Sequence, residues 1–283
     1  MLDVQSLKDL GKGISTHPWK TAAYIFTAFS VLFTIIKGVT QFMPGVKIEG
    51  IYPLTLVLAV SVFYGFVKIW KPSKVEIKIA HTNTSIEVLF GDFFEQGGIR
   101  AVAVTEYFES KLGKPVSEKS LHGLFLKKCF GAQPESFDKQ VDEQLKNTQG
   151  IEVPKTEGKT KCYPLGTTAL IKVDQDRYLV FAFAKANPVD CKAYADVTMM
   201  WDSLHKLWQR ARSESGGDPI NLPLVGSGLS GLGLPTRDLL NLIILSAITE
   251  TKANQISSKI RVVIHRDRFE ELDLREVKKH WEE

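Results

Sequence analysis

The apolar positions of this chain follow two different rules. Residues 21–36 and 51–67 are unbroken uncharged runs, the first flanked by Lys20 and Lys37, the second followed by Lys68 and Lys71. Each is slightly short of the ~20 apolar residues that cross a bilayer. Trp19 and Trp70 stand where interfacial aromatic rings sit, and the flanking lysines reach water along their aliphatic stems. Pro53 falls in the first turn of the second run, where a missing N–H costs little. The pattern predicts two membrane-spanning helices joined by a short connector with a Pro44-Gly45 turn. Two buried core helices are the competing reading, but such helices carry a polar stripe and neither run has one. A cleaved leader in the first run needs a small-residue cleavage site, and none is evident. Ahead of the spans, Leu2, Val4, Leu7, Leu10 and Ile14 are roughly helix-spaced. Residues 1–17 are therefore compatible with an interfacial helix or a frayed tail.

From residue 75 the periodicity changes. Short β-rich runs occupy residues 75–80, 85–90, 99–104, 168–173, 178–183, 220–225 and 260–265. Helix-like stretches lie at 119–130, 135–147, 191–212 and 236–252. Strands alternating with helices predict a layered α/β domain over residues 75–283, with ample length for one core. The polar stretches 150–162 and 213–218 read as surface loops. On 191–212, Met199, Met200, Trp201, Leu204 and Trp208 read as core packing, with a subunit contact as the other role open to Trp208. Lys206, Arg210 and Arg212 read as a solvated face.

Composition adds limits. Across 283 residues the formal net charge is +4, too small to argue for nucleic acid. Cys129, Cys162 and Cys191 are far apart and odd in number, which fits a reducing compartment. His81, His122, His205, His265 and His280 have no metal spacing, so no metal site is expected. Lys8, Lys12 and Lys20 precede the first span, and Lys68, Lys71, Lys74 and Lys78 follow the second. The connector carries Lys37, Lys47 and Glu49. This modest bias places both termini in the cytoplasm, with the hairpin at residues 18–71 in the inner membrane.

One segment carries candidate chemistry. Residues 222–233 read Leu-Pro-Leu-Val-Gly-Ser-Gly-Leu-Ser-Gly-Leu-Gly, between a β-rich run and a helix-like one. Glycines permit positive φ and close backbone approach, so the loop offers N–H donors to a phosphate or diphosphate. It supplies no nucleophile, general base or metal ligand of its own. It is not a Walker loop, since no Lys-Ser or Lys-Thr follows, and it lies too late for the dinucleotide fingerprint.

Together these segments resemble a known family. Residues 85–110, SIEVLFGDFFEQGGIRAVAVTEYFES, are similar to the opening of a macro domain: a strand, Gly-Asp with an apolar residue, then a second strand. Residues 223–231 resemble its second phosphate loop, and 260–265 its late strand. Macro domains are three-layer α/β/α modules with a mixed sheet that bind ADP-ribose and its relatives. The resemblance implies that Asp92 accepts from an adenine amino group and that Phe93 walls the base. It implies that Gly226, Ser227, Gly228, Leu229, Ser230 and Gly231 hold the diphosphate and distal ribose. A weaker match places Ser120, Leu121, His122 and Gly123 at the first phosphate loop, and Thr105 at the end of the second strand. A helix cap at Asp92, a ligand-free turn at Gly226 and a helix-start histidine at His122 are the competing structural roles.

Two spans ahead of such a domain resemble the membrane-anchored macro-domain effectors of type II Thoeris anti-phage systems. That resemblance implies a sensor for an ADP-ribose-derived signal nucleotide made by a TIR-domain enzyme. It also implies a homo-oligomer that disrupts the lipid bilayer, and no cofactor. Macro domains that hydrolyse ADP-ribosyl bonds usually carry asparagines after the second strand. Here residues 104–108 read Val-Thr-Glu-Tyr-Phe, so no catalytic residue is assigned. Glu106 as a base and Tyr107 as a stacking ring define the alternative, a membrane-tethered hydrolase.

Overall fold

The computed structural model of the chain describes residues 4–43, 45–46, 48, 50–131, 133–228 and 231–282. Leu2, Pro44, Lys47, Glu49, Leu229 and Ser230 lie outside the described residues. The chain divides into two compact units, residues 1–73 with 273–275, and residues 74–272 with 276–283.

The first unit is helical: α1 (Val4–Thr16), α2 (Pro18–Phe42) and α3 (Ile51–Ile69). Of the two readings left open for the N-terminus, the described residues form a helix. Pro18 opens α2, where its fixed φ suits a first turn. Both α2 and α3 are long and apolar enough to cross a membrane. Phe26, Ile35, Leu56 and Phe63 are exposed, whereas a core helix would bury them. Thr27 and Thr34 donate to carbonyls one turn back, at 2.8 and 2.7 Å, so neither hydroxyl needs water. Val57, Ser61, Gly65 and Ile69 form the buried stripe of α3, spaced four apart. A Cβ on Gly65 would lie 2.5 Å from the Ile25 side chain. Small residues thus set the approach of α2 and α3, as in membrane helix pairs.

The second unit contains β1 (Lys74–Lys78), β2 (Ser85–Phe90), β3 (Ile99–Thr105), α4 (Leu121–Cys129), α5 (Pro134–Leu145), β4 (Ile151–Glu152), β5 (Lys161–Cys162) and β6 (Thr168–Val173). It continues with β7 (Asp176–Ala186), β8 (Ala193–Tyr194), α6 (Val197–Glu214), β9 (Ile220–Pro223), α7 (Thr236–Ala253), β10 (Lys259–Ile264) and, from residue 276 on, α8 (Leu274–Glu282). The main sheet runs β1-β2-β10-β9-β3-β7-β6, with β8 pairing β7 off this path. β2, β10, β9, β3 and β7 are parallel; β1 and β6 flank them antiparallel. The central strands read as near-continuous apolar runs because helices cover both faces. Phe125, Phe137, Val141 and Leu145 of α4 and α5 pack with Val102, Val104, Val180 and Ala182. On the other face α6 and α7 meet, where Trp208 is fully buried and its Nε1 donates to Ser246 Oγ at 3.0 Å. Trp208 is therefore a core residue.

Two expectations need correction. The helix predicted over 191–212 begins at Val197, because Asp196 caps it by accepting from Met199 N at 2.7 Å, while Ala193 and Tyr194 pair with β7. The polar stretch 150–162 is not simply a surface loop, since β4 and β5 pair within it and its Lys155 side chain is wholly buried.

The contact at Gly65 yields a test. Gly65→Ile forces Ile25 aside and weakens the α2–α3 pair by about 1–3 kcal/mol. Gly38→Ile, on open space, is the control. In an SDS titration of the full chain, helix separation is expected at lower detergent for Gly65→Ile only.

Candidate functional site

The strand order contains one reversal. From β9 the chain proceeds through α7 to β10 on one side; from β3 it proceeds through α4 and α5 to β6 and β7 on the other. Ligands of open α/β sheets bind outside the carboxyl ends of strands at such a switch point. Here the ladder is also incomplete, because β9 and β3 pair only through Ile99↔Ile220 and Arg100↔Asn221. β3 then continues to Thr105 without β9, which ends at Pro223, a residue that cannot donate. The strands part at the end where their carboxyl termini lie.

Continuous register brings the strand exits level. Leu89 pairs with Val263, Val263 with Pro223, and Val102 with Val180. The segments leaving β2, β10, β9 and β3 therefore share one sheet edge. At ~4.8 Å per strand, the β2 and β3 exits are about 14 Å apart, the reach of an extended ligand rather than a single phosphate.

At the β2 exit, Asp92 is exposed, and its Oδ1 caps a 3-10 turn by accepting from Phe94 N at 2.8 Å. Phe93 is buried in the core and meets Phe94 edge-on at 5.4 Å. The ring left partly accessible is that of Phe94, with Lys128 Nζ 4.8 Å above it. At the β3 exit, Thr105 sits at a register shift, and its buried Oγ1 has no hydrogen-bond partner. Ser120 caps α4, accepting from Gly123 N at 3.0 Å, and Leu121 is partly buried against the core. Gly123 answers a packing need, since a Cβ there would lie 2.2 Å from Ser117 O. His122 turns inward, 6.3 Å from Phe137, with its Nε2 buried and unpartnered. Burial, reinforced by the nearby Lys159 charge, pulls its pKa down to about 3, so it is neutral.

At the β9 exit, Gly226 has φ +82°, and a Cβ there would meet Leu232 at 2.8 Å. Ser227 Oγ donates to Leu224 O at 2.6 Å, and Leu232 N to Gly226 O at 3.1 Å. Gly228 faces open space. Gly231 lies close enough to Gly228 O that a Cβ would come within 2.9 Å. The loop does not run straight into its helix: α7 starts at Thr236. Gly233 is left-handed at φ +70°, and Pro235 disfavours helix at Leu234, so four residues intervene after Gly231.

Between the β3 and β7 exits lies a constellation that spacing alone did not reveal. Glu109 and Lys155 form a buried ion pair at 2.5 Å, with side chains 3% and 0% exposed. Lys159 N donates to both Glu109 oxygens, at 3.2 and 3.1 Å. Lys155 Nζ also lies 3.8 Å from the centre of the Tyr107 ring. Gly158 is glycine because any Cβ would strike the Glu109 carboxylate at 2.4 Å. Thr156 Oγ1 donates to Val189 O at 2.7 Å, so the strap is held at both exits. Tyr107 is consequently buried, its hydroxyl pKa pushed up to about 12 by burial, and its ring is not open for stacking. Glu106 is half-buried, and burial raises its pKa against the opposing charge of Lys185. Among the described residues no cluster of His, Cys, Asp and Glu could hold a metal.

Comparison with known proteins agrees with this geometry. The family model described as Thoeris protein ThsA, Macro domain, matches residues 86–265, from β2 to the end of β10. A Gly-to-Val mutant of the Oceanobacillus iheyensis macrodomain with ADPR is similar in structure, with TM-score 0.52 and 10% identity over 74% of this chain and 100% of that one. An Asp-to-Ala mutant of the same macrodomain gives 0.50 and 10%, over 74% and 97%. At that identity the likeness is one of fold. No curated protein matches the sequence.

Two buried groups give tests. His122 takes up a proton at about pH 6.5 when unfolded but only near 3 when folded. Its contribution to stability is complete above pH 6.5 and falls by about 1.4 kcal/mol per unit below it. Thermal melts from pH 7 to 5 should fall less steeply in His122→Phe. For the ion pair, Lys155→Met alone strands a buried carboxylate and costs about 3–5 kcal/mol in urea unfolding. Adding Glu109→Leu should recover most of that loss.

Proposed function

Because the chain belongs to the macro-domain family of the Thoeris protein ThsA, we propose that residues 75–283 bind an ADP-ribose-derived signal nucleotide across the sheet edge where β9 parts from β3. That parting, with a glycine loop on one side and the exposed Asp92 carboxylate two strands away, is the observation that carries the reading. Asp92 accepts the adenine amino group through the oxygen not engaged by Phe94 N, and Phe94 rather than Phe93 offers the ring beside the base. Gly226, Ser227, Gly228, Leu229, Ser230 and Gly231 wrap the diphosphate with backbone N–H groups. Thr105, at the parted edge, supplies a hydroxyl in want of a partner. Ser120, Leu121 and Gly123 bring the start of α4 to the same edge, and His122 supports it from within the core.

In this reading the protein is a membrane effector, not an enzyme. The hairpin, residues 18–71, spans the inner membrane with both termini cytoplasmic, and a TIR-domain enzyme supplies the signal in anti-phage defence. Binding favours a homo-oligomer, in which clustered hairpins disrupt the bilayer. The shift is bounded by the ligand's differential affinity for the two states. The raised carboxylate of Glu106 favours one other reading, a tethered ADP-ribosyl hydrolase with Glu106 as base.

Calorimetry with ADP-ribose on the full chain in nanodiscs tests the site. Asp92→Asn keeps the cap on Phe94 but presents a donor where an acceptor is needed. It should weaken binding at least tenfold, about 1.4 kcal/mol. Gly228→Glu, which has room to fold, should abolish binding. Ligand recovered intact after prolonged incubation excludes the hydrolase; turnover lost in Glu106→Gln establishes it.

A further inference from the structure

The glycine loop after β9 is fastened by a residue from a different segment. Arg268 lies in the 3-10 turn Arg266–Glu271 that follows β10. Its Nη2 donates to Ser227 O at 3.1 Å, inside the loop. Its Nη1 donates to Thr236 Oγ1 at 2.8 Å, on the first residue of α7, and to Glu271 Oε2 at 2.9 Å. Thr236 Oγ1 also donates to Glu271 Oε2, closing a three-membered network. One guanidinium therefore ties the start of the loop to its end across nine residues.

Such a loop needs fastening. Gly226 and Gly233 hold positive φ, and a Cβ on Gly228 would meet nothing within 4 Å. Glycines lose more conformational freedom on ordering than other residues. A loop that orders only on contact with its ligand subtracts that cost from affinity, and one already ordered does not. α7 has no side-chain cap of its own, its N-cap being Pro235, which leaves Thr236 as the point where the brace meets the helix. A planar fork suits this task, since it reaches two acceptors in fixed directions where an ammonium acts as a point.

We infer that Arg268 is a positioning residue that pre-orders the glycine loop for the ligand's diphosphate by bracing Ser227 against Thr236. The inference rests on the nucleotide reading above. The test uses the full chain in nanodiscs with ADP-ribose as probe, read by calorimetry and by amide hydrogen exchange at residues 225–228 and 231–233. In Arg268→Ala, loop exchange without ligand should speed up tenfold or more, and affinity should fall at least tenfold. The melting temperature of the unit should change little, since the side chain is about one-third exposed. Low-millimolar guanidinium should restore affinity, and Arg268→Lys should not. Thr236→Val, which removes one arm, should fall between. Unchanged affinity in Arg268→Ala, where the wild type binds, overturns the positioning role and leaves the nucleotide reading intact. Full recovery by lysine overturns the two-ended brace in favour of simple charge. No binding by the wild type overturns both.

Discussion

A parallel sheet is stable when each strand's backbone groups meet those of its neighbours, and here one ladder is left unfinished. β9 and β3 share two residue pairs before they separate. The separation falls where the connections that leave β9 and β3 run in opposite directions. In our proposal the nucleotide site of residues 75–283 is arranged around that gap. The β2, β3, β9 and β10 exits border it because register is otherwise continuous. A gap of this kind collapses or fills with water unless its walls are held apart.

Two polar fasteners hold the walls, and they differ in physical character. On the β3 side the Lys155–Glu109 pair is sealed from solvent, so its worth lies in the damage done when one partner is lost. It immobilises the strap 153–160 against the β3 and β7 exits. On the β9 side the Arg268 network is partly open to water, and each bond in it is modest. Its effect comes from joining two points of a glycine-rich loop. On the β3 side Tyr107 is buried; on the β9 side the brace is proposed to keep backbone N–H groups within reach of a ligand.

Much of this was legible in the sequence. The seven β-rich runs all correspond to strands, the five central ones because buried parallel strands need uninterrupted apolar residues. The two membrane-length runs correspond to α2 and α3. The glycine loop stood out by its composition, and at Gly226 and Gly233 a positive φ accounts for the residue type. What the pattern could not deliver was convergence. Glu109 and Lys155 are distant in sequence, and no periodicity links a carboxylate after a strand to a lysine in a polar stretch. Arg268 was one arginine in a charged turn. Phe93 and Phe94 are adjacent and identical in type, and the 3-10 turn capped by Asp92 decides which of them is buried. The false start of α6 at residue 191 has the same origin, since helix propensity between 191 and 196 yields to pairing with β7.

We propose that an adenine nucleotide lies along the sheet edge, from the β2 exit to the β9 loop. Amide hydrogen exchange of the full chain, with and without saturating ADP-ribose, is the decisive measurement. A nucleotide in that position slows exchange at residues 91–98, 224–228 and 231–233 and leaves the edge strands β1 and β6 unchanged. Protection confined to other segments, or no change at any concentration of ADP-ribose, rules the position out.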